Sequence, residues 1–534
     1  MEKKLQERKY MLNAFCVGYA AMTDNCWNFS IICRHPFLVL LNEYYAGFIQ
    51  GKLQGVDMIK AARNNTWKNS FLCDTGHTFP KQLPPTTELE RASGLLTVNY
   101  NHTIKWIEGN RLDPLKGRCA MAIERLFFRL WGVFDGLTLE HYRDLDKVKK
   151  DVYTPQQGMK LGYGDDEVTF GDLYFINTQM DLMDVAASSL ESTYGLTKPD
   201  HCSAFAKRTL GGDIVWTHNS WCGFLSQSHT ISYVIGDENP EFITQNSYCF
   251  GQVGSNMDFG FNGHGICFNE TTHRYSYNKP TAEGVWLCWR SAAAEMFAQS
   301  IDDFYEYLSA DNTGTYLNGY MVIDARKKEM ALIEMSYKRF GMLRSGQDGS
   351  LTGMFSTGEE FDMNLDYDNH LMTGEYILGV NYPVIKKIAY DLASTDNRPM
   401  RRVQFFNMIG KVKNMEDAKE LITYISDDEP LSICGRWDIG TGTTEYPKTI
   451  PDGAVDAKAF SAYKVCELLD SLTFTSCEQG GCVSFWMRYG VAPFKGENFV
   501  WSKSQWAEYK DDPEKDFVPD DVSGAWNQTK LYMK

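Results

Sequence analysis

The sequence predicts an α+β protein in which β-sheets and helices stack as separate layers. Short runs of alternating apolar and polar residues, separated by turn residues, begin at Cys202 and are typical of antiparallel strands. Apolar residues at helical spacing precede this region and return at residues 286–308, 382–393 and 415–424. Because strands and helices come in blocks rather than in alternation, their order favours stacked layers over a parallel βαβ fold.

The N-terminal part is predicted to begin with one strand and to continue with helices. Residues 11–23 (MLNAFCVGYAAMT) are rich in aromatic and small residues and predict the first strand, although residues 11–21 are also apolar enough for the core of a secretory signal. Residues 41–60 carry apolar side chains at helical spacing and predict an amphipathic helix packed on a sheet. Helices are also predicted over residues 120–131 and 169–190.

Residues 141–168 separate this helical part from the strands. They are polar, charged and glycine-containing, and they predict a linker or lid between two halves. The strands predicted after them are CSAFAKR, DIVWTHNSW and HTISYVIG, with a GGD turn between the first two. Residues 319–337 (GYMVIDARKKEMALIEMSY) predict a hairpin, because two alternating runs flank a charged turn.

Composition excludes several classes of protein. Of the 534 residues, 43% are hydrophobic and 23% are charged, which excludes a disordered chain. The 53 Lys and Arg residues against 69 Asp and Glu residues give a net charge of −16. An acidic surface without a basic patch predicts that the chain does not bind nucleic acid. No stretch approaches the ~18 to 20 apolar residues that span a bilayer, so no transmembrane segment is predicted.

The 14 cysteines suggest disulfides rather than a metal site. Cys26 and Cys33 form one close pair, and Cys477 and Cys482 form another. Neither pair has a second pair of Cys or His at zinc-site spacing, so disulfides or free thiols are favoured over zinc. No metal and no cofactor are predicted. Five Asn-x-Ser/Thr sequons are compatible with a glycoprotein, at Asn28, Asn64, Asn101, Asn269 and Asn527.

The motifs of the commonest enzyme classes are missing, and Cys202 is the remaining candidate nucleophile. It opens a strand after a long polar segment. If the peptide bond before it is cleaved, the freed α-amino group, with a pKa near ~8, can take the thiol proton. The thiolate then attacks an ester or amide and forms a thioester, with donors such as an Asn side chain holding the oxyanion. The alternative is an inert buried cysteine.

Several segments, taken in order, resemble the phospholipase B-like (laminin ancestor) family. CSAFAKR, DIVWTHNSW and SQSHTISYVI resemble that family's nucleophile strand and the hairpin that follows it. TDN with LNEYYAGFIQGKLQG, NETT, NTGTYLNGYMVID, EPLSICGRWD and GAVDAKAFS also occur in the family's order. The resemblance therefore runs from about residue 11 to at least residue 460. The family is similar to acyl-coenzyme A:6-aminopenicillanic acid acyltransferases and belongs with the N-terminal nucleophile hydrolases.

The resemblance implies an αββα four-layer sandwich of the N-terminal nucleophile type, produced by cleavage before Cys202. Residues 1–201 would form an N-terminal fragment, with a linker or lid at about residues 141–201. Residues 202–534 would form the C-terminal fragment. The two fragments would remain associated as one composite catalytic domain.

The resemblance also implies a set of site residues. Cys202 would be the nucleophile of both autoprocessing and hydrolysis. The other matched positions are His218 as the active-site histidine, Asn381 as the oxyanion donor, Trp221 as a pocket wall, Thr271 with Thr272 one register away, and Arg401 or Arg402. Each of these residues also has a plain structural interpretation, as a core or surface residue.

The predicted function is that of a self-processing acyl hydrolase of phospholipase B-like type. Its substrate would be a lipid or an N-acyl small molecule, cleaved at an ester or amide bond. The alternatives are an N-acyl amide hydrolase or acyltransferase, and a non-catalytic lipid- or glycan-binding protein on the same fold. The resemblance implies that the protein is secreted or resides in the lysosomal or endomembrane lumen. No convincing signal peptide for this route is predicted in the chain.

Overall fold

The computed structural model describes most of the chain, and the structural statements below concern these residues: 7–23, 26–36, 38–67, 86–188, 202–236, 241–255, 259–396, 399–427, 432–435, 452–471, 482–490, 495–504, 507, 520–522 and 524–531. The strands among them are β1 Glu7–Asn13, β2 Cys16–Thr23, β3 Cys26–Cys33, β4 Cys202–Arg208, β5 Ile214–Gly223, β6 His229–Ile235, β7 Glu241–Ser247, β8 Phe259–Asn262, β9 Ile266–Thr272, β10 Asn318–Asp324, β11 Glu329–Met335, β12 Phe340–Ser345, β13 Leu351–Phe355, β14 Tyr376–Gly379, β15 Asp452–Ala454, β16 Asp456–Ser461, β17 Cys482–Tyr489 and β18 Asn527–Leu531.

The helices among the described residues are α1 Val39–Trp67, α2 Thr86–Asn110, α3 Gly117–Thr138, α4 Leu145–Tyr153, α5 Phe170–Ser188, α6 Leu287–Phe297, α7 Ile301–Ser309, α8 Lys386–Asp391, α9 Pro399–Ile409, α10 Met415–Ile422 and α11 Ala462–Ser471. The mixture of helices and strands confirms the predicted α+β class. None of these helices is both long and apolar enough to cross a lipid bilayer.

The strands form two sheets. The larger sheet has eleven strands in the order β1-β2-β3-β6-β7-β8-β9-β10-β11-β12-β13. The smaller sheet has seven strands, in the order β14-β4-β5-β16-β17-β18 with β15 paired to β5. Strand β3 pairs in parallel with β6, although residue 201 lies between them in the sequence. The larger sheet therefore draws strands from both sides of the predicted cleavage position.

The two sheets face each other across an aromatic core. The Trp216 ring on β5 stacks on Phe259 of β8 with centroids 5.6 Å apart. Phe261 of β8 stacks on Phe460 of β16 at 5.7 Å. The Asn269 side chain of β9 also donates a hydrogen bond to the Thr217 carbonyl of β5, at 2.9 Å. The core between the sheets is therefore apolar, with a few buried polar links.

Helices contact both sheets. On the larger sheet, Tyr233 of β6 donates its hydroxyl to Gln50 of α1 at 2.7 Å, and helices α6 and α7 contact β7 to β10. On the smaller sheet, Phe205 of β4 contacts Phe405 of α9 with ring centroids 6.1 Å apart. Helices α10 and α11 contact β5 and β16.

Most predicted helices and strands are confirmed. The bounds of one predicted strand and one predicted helix are corrected. The segment predicted as one first strand forms two, β1 and β2, which pair as a hairpin. The helix predicted over residues 382–393 is shorter, because the backbone N–H groups of Val384 and Ile385 donate to the Glu334 carboxylate instead of starting a helix, at 2.8 and 2.7 Å. Helix α8 therefore begins only at Lys386.

The segment predicted as a linker or lid, residues 141–168, is part of the helical layer. Helix α4 lies within it and contacts α3. Val148, Val152 and Met159 are buried. The buried Arg63 of α1 donates to the carbonyl of Gly164 at 2.7 Å. These contacts place the apolar residues of the segment in the protein's main hydrophobic core.

The cysteine prediction is wrong for the first pair. Cys26 and Cys33 lie at opposite ends of the eight-residue strand β3, and both are free thiols. Seven residues of extended chain separate them by roughly 23 Å, whereas a disulfide needs Cα atoms within about 7 Å. Cys33 instead faces Cys16 across the β2–β3 ladder. Cys477 and the side chain of Cys482 lie outside the described residues.

Three of the five sequons are buried. Asn28, Asn64 and Asn269 are at most 5% exposed, and their side-chain amides donate to backbone carbonyls. A glycan attached to any of them does not fit the folded core. Asn101 and Asn527 are partly exposed.

Helices α1 and α3 meet backbone to backbone through glycines. A Cβ atom on Gly132 of α3 would overlap the carbonyl oxygen of Tyr44, and one on Gly47 of α1 would overlap the carbonyl oxygen of Arg129. Only glycine permits this approach, since the overlapping atoms are backbone rather than movable side chains. Gly94 of α2 has no such neighbour, because nothing lies within 4 Å of its Cβ position.

We expect Gly132→Ala to destabilise the protein by about 2 to 3 kcal/mol, because the helices must separate to admit the methyl group. Gly94→Ala is the matched control and should stabilise it by about 0.5 to 1 kcal/mol through helix propensity. Urea denaturation of both variants measures the difference. Equal stability of the two variants would contradict the close approach of α1 and α3.

Candidate active site

Cys202 is the first residue of β4, which is an internal strand of the smaller sheet. Strand β4 lies between β14 and β5, and Cys202 pairs with Ser220 of β5. The next N–H group, that of Ser203, donates to the Asn219 side chain at 3.0 Å. Cys202 is 8% exposed, so it is buried but not closed off. Pairing with β5 therefore fixes the backbone that carries the thiol.

Asn381 contacts the amide nitrogen of Cys202. Its Oδ1 accepts the Cys202 N–H at 3.4 Å and an Arg401 N–H at 2.8 Å. Its Nδ2 donates to the Thr272 carbonyl of β9 at 2.6 Å. The side-chain oxygen of Asn381 therefore faces Cys202 of the smaller sheet, and its side-chain nitrogen binds the larger sheet. The backbone of Asn381 has a φ of 63°, in the left-handed region that asparagine tolerates better than most residues.

The structure selects one of the two candidate arginines. Arg401 is fully buried and donates to the Cys202 carbonyl at 2.8 Å, and it also donates to the Val380 carbonyl. Arg402 instead pairs with Asp368 at 3.0 Å, and its side chain is 31% exposed. Adjacent residues of α9 point about 100° apart around the helix, so only Arg401 reaches the site.

Trp221 lies behind Arg401. The guanidinium of Arg401 sits 5.1 Å from the centre of the Trp221 ring, a cation–π arrangement. The indole N–H donates to Asn219 Oδ1 at 2.8 Å. Asn219 Nδ2 in turn donates to the carbonyls of Ile422 and Ile433 at 2.8 and 2.9 Å. Trp221 and Asn219 therefore hold the Arg401 side chain and the start of β4 in place.

His218 lies on β5 beside a buried ion pair. The Lys458 ammonium donates to the carboxylate of Asp456 and to the hydroxyl of Ser220, both at 2.7 Å. The Ser220 hydroxyl lies 3.4 Å from His218 Nδ1. Burial, together with the positive charge of Lys458, holds the pKa of His218 well below its usual 6.5. The imidazole is therefore neutral over the physiological pH range.

Glu270 belongs to β9 of the larger sheet, and its carboxylate lies close to Cys202 and His218. The Cys202 sulfur, one ring nitrogen of His218 and a carboxylate oxygen of Glu270 all lie within 4.8 Å of one another. The Thr272 hydroxyl donates to Glu270 Oε1 at 2.9 Å. Thr271 faces Gly379 of β14, where an added Cβ would lie 2.7 Å from the Thr271 methyl group. Thr271 is thus placed between the sheets next to β14.

Sequence reasoning missed four residues of this neighbourhood: Asn219, Glu270, Asp456 and Lys458. All four lie in segments that carry the resemblance, namely THNSW, NETT and GAVDAKAFS. Only the pairing of β16 with β5, which sets Lys458 opposite His218, brings the last two to the site. The family resemblance covers these residues, but it does not distinguish them from their neighbours in the same segments.

A buried acid anchors the loop that carries Asn381. Glu334 of β11 accepts the N–H groups of Val384 and Ile385 just after this residue. His273 Nε2 lies 3.7 Å from Glu334 Oε1, and both side chains are buried. On the other side, the Arg274 N–H donates to the Asn381 carbonyl at 2.9 Å. The loop is therefore held at both ends by β9 and β11.

A family model described as Phospholipase B matches residues 21–512, which is most of the chain. The chain belongs to the phospholipase B family. Among its curated relatives, Phospholipase B of Crotalus adamanteus is 23% identical over 474 residues, covering 79% of this chain and 75% of the snake protein. Phospholipase B-like 1 of Bos taurus is 26% identical over 367 residues, covering 62% of this chain and 64% of the bovine protein. Phospholipase B-like protein G of Dictyostelium discoideum is 25% identical over 304 residues, covering 50% and 48%.

In this phospholipase B family chain, we expect Arg401→Met to lower the free energy of unfolding by about 2 to 4 kcal/mol, because buried carbonyl groups lose their donor. Arg402→Met is the matched control and should cost less than about 1 kcal/mol, since its ion pair is partly exposed. Urea denaturation in a Cys202→Ala background, which keeps the thiol out of the measurement, compares the two. A larger loss in the Arg402 variant would contradict the assignment.

We expect Glu334 to make the stability of this phospholipase B family chain fall as pH rises. Burial raises the pKa of Glu334 from 4.5 to about 8, more than its two N–H donors lower it. Between those values the folded state holds a proton that the unfolded chain releases, so stability is lost as pH increases, by at most about 1.4 kcal/mol per pH unit.

Urea denaturation from pH 4.5 to 8 tests this dependence against Glu334→Gln. The variant carries a constant offset from its altered hydrogen bonds, but it lacks the proton and therefore the slope. The difference in unfolding free energy between wild type and variant should shrink or reverse steadily with rising pH. A difference that is constant with pH would refute the protonated state of Glu334.

Proposed function

We propose that the protein is a self-processing acyl hydrolase of phospholipase B-like type, with Cys202 as the nucleophile. One observation carries the proposal: separate partners surround the nitrogen, the carbonyl and the sulfur of this single residue. Asn381 accepts from its nitrogen and Arg401 donates to its carbonyl. His218 and Glu270 lie near its sulfur. A cysteine buried only for packing does not require this set of polar partners.

The proposed processing step is an acyl shift from nitrogen to sulfur. The Cys202 sulfur attacks the carbonyl carbon of residue 201, a C–S bond forms, the C–N bond breaks, and the thiol proton passes to the departing nitrogen. Water then hydrolyses the thioester, which leaves a carboxylate on the first fragment and a free α-amine on Cys202. Neutral His218 is available as the proton acceptor before that amine exists, since its lowered pKa keeps the ring unprotonated.

In the processed protein, the α-amine would serve as the base for acyl hydrolysis. Its pKa lies near ~8, so a useful fraction is unprotonated at neutral pH. Asn381 Oδ1, 3.4 Å from the Cys202 nitrogen, would orient it. The predicted role of Asn381 as oxyanion donor stays a prediction. One N–H of Nδ2 donates to the Thr272 carbonyl, so the oxyanion would have to be reached by the second.

We propose a lipid ester as the substrate, because the family and the curated relatives carry the name phospholipase B. An N-acyl amide is the alternative substrate within the same chemistry. The two sheets, both contacted by helices, support the αββα fold of the N-terminal nucleophile type. Pairing of β3 with β6 supports association of the fragments 1–201 and 202–534 after cleavage. A secreted or lysosomal location is part of the same proposal.

Processing of the full chain tests the proposal. After expression through a secretory route and incubation at mildly acidic pH, wild type and the control Cys222→Ala should give two bands on a denaturing gel. N-terminal sequencing should find Cys-Ser-Ala-Phe at the start of one of them. Cys202→Ala should give a single uncut band, because it lacks the attacking sulfur.

Turnover is then measured with a fluorogenic acyl ester and the matching acyl amide. Both processed proteins should hydrolyse at least one of them, and Cys202→Ala should not. An uncut wild-type chain without turnover would favour the lipid- or glycan-binding alternative. Hydrolysis that survives in Cys202→Ala would remove Cys202 from its proposed role.

A further inference from the structure

The atoms around the thiol also have the composition of a metal site. Cys202, His218 and Glu270 come from β4, β5 and β9, and therefore from both sheets. Their sulfur, nitrogen and oxygen ligand atoms lie within 4.8 Å of one another. All three residues are buried. We propose that these three side chains bind Zn²⁺, and that the bound ion inhibits the thiol.

The separation of the ligand atoms fits zinc after a small contraction. Bonds of about 2.0 Å to nitrogen and oxygen and 2.3 Å to sulfur, arranged tetrahedrally, place ligand atoms about 3.3 to 3.8 Å apart. Side-chain movements of about 1 Å therefore close the site. Three protein ligands leave a fourth position for water, as in the open class of zinc sites. A thiolate with an imidazole favours zinc over calcium or magnesium, which prefer oxygen ligands alone.

The charges of the site are balanced for a dication. The Cys202 thiolate and the Glu270 carboxylate together offset the two positive charges of Zn²⁺. Two cations lie nearby, but the Lys458 ammonium is paired with Asp456 at 2.7 Å. Arg401 is directed at the Cys202 carbonyl and stacked on an indole ring.

Two hydroxyl groups contact the proposed ligands Glu270 and His218. The Thr272 hydroxyl donates to Glu270 Oε1 at 2.9 Å. Ser220 lies 3.4 Å from His218 Nδ1, on the side away from Nε2. Such outer contacts fix the direction of ligand lone pairs and typically raise metal affinity. The site is thus supported by the same strands that hold the nucleophile.

Binding and inhibition are separate consequences. On binding, the Cys202 thiol releases one proton to solvent and its sulfur lone pair forms the bond to zinc. That lone pair is then unavailable for attack on a carbonyl, so both processing and acyl hydrolysis stop. Only the inhibition rests on the proposed function, whereas the binding site stands on the geometry alone.

Cobalt and zinc titrations of the metal-free full chain test the binding. Co²⁺ should produce a near-ultraviolet thiolate-to-cobalt band and the visible bands of tetrahedral cobalt, and one equivalent of Zn²⁺ should remove them. Cys202→Ser should abolish the thiolate band. Glu270→Gln should weaken binding by about tenfold or more while retaining the band.

Cys466→Ala is the control, because this partly exposed thiol of α11 lies outside the cluster. It should leave every spectrum unchanged, and circular dichroism confirms that each variant is folded. A thiolate band that persists in Cys202→Ser, or no stoichiometric binding by wild type, would overturn the metal site.

Inhibition is measured in the same samples by processing and by acyl hydrolysis. Zinc at the concentration that saturates the cobalt site should slow both at least tenfold, and a chelator should restore them. Cobalt spectra that depend on Cys202 without any processing would leave the metal site intact and contradict the proposed function. Processing and turnover that continue with the site saturated would overturn the inhibitory role.

Discussion

The Asn381 side chain is the interaction on which the arrangement around Cys202 depends, because it joins three parts of the molecule at one amide. It accepts from the first residue of β4, donates to the last residue of β9, and accepts from α9 through Arg401. These elements belong to the two sheets and to a helix.

The fold holds this amide in an unfavourable backbone conformation. A left-handed φ in a residue other than glycine costs about 1 kcal/mol or more, and Asn381 has a φ of 63°. The loop is fixed by Arg274 on one side and by Glu334 on the other. A buried carboxylate with a raised pKa is itself a costly anchor. Backbone strain and a buried titratable group around one loop are typical of functional sites.

Elements defined by local pattern could be predicted from the sequence. The strands β4, β5 and β6 and the hairpin of β10 and β11 have alternation and turn residues that encode them within a few residues. A Cys26–Cys33 bridge is wrong because the two cysteines, although close in sequence, lie at opposite ends of an extended strand. Arg401 could not be chosen over Arg402 without the orientation of α9. Glu270 and Lys458 are distant from Cys202 in sequence, and only strand pairing brings them near.

Cleavage before Cys202 would change what the Asn381 contact does without moving it. In the intact chain, the Cys202 nitrogen is an amide whose N–H points at Asn381 Oδ1, and it has no basic lone pair. After cleavage the same nitrogen is an amine. Because Oδ1 already accepts from Arg401 and has no proton to donate, it can retain only an N–H of that amine. The amine lone pair must therefore occupy one of the two remaining positions on the nitrogen, away from Asn381, and from there it can face the thiol. On the proposed function, one unchanged hydrogen bond aligns the strand before processing and aims the base afterwards.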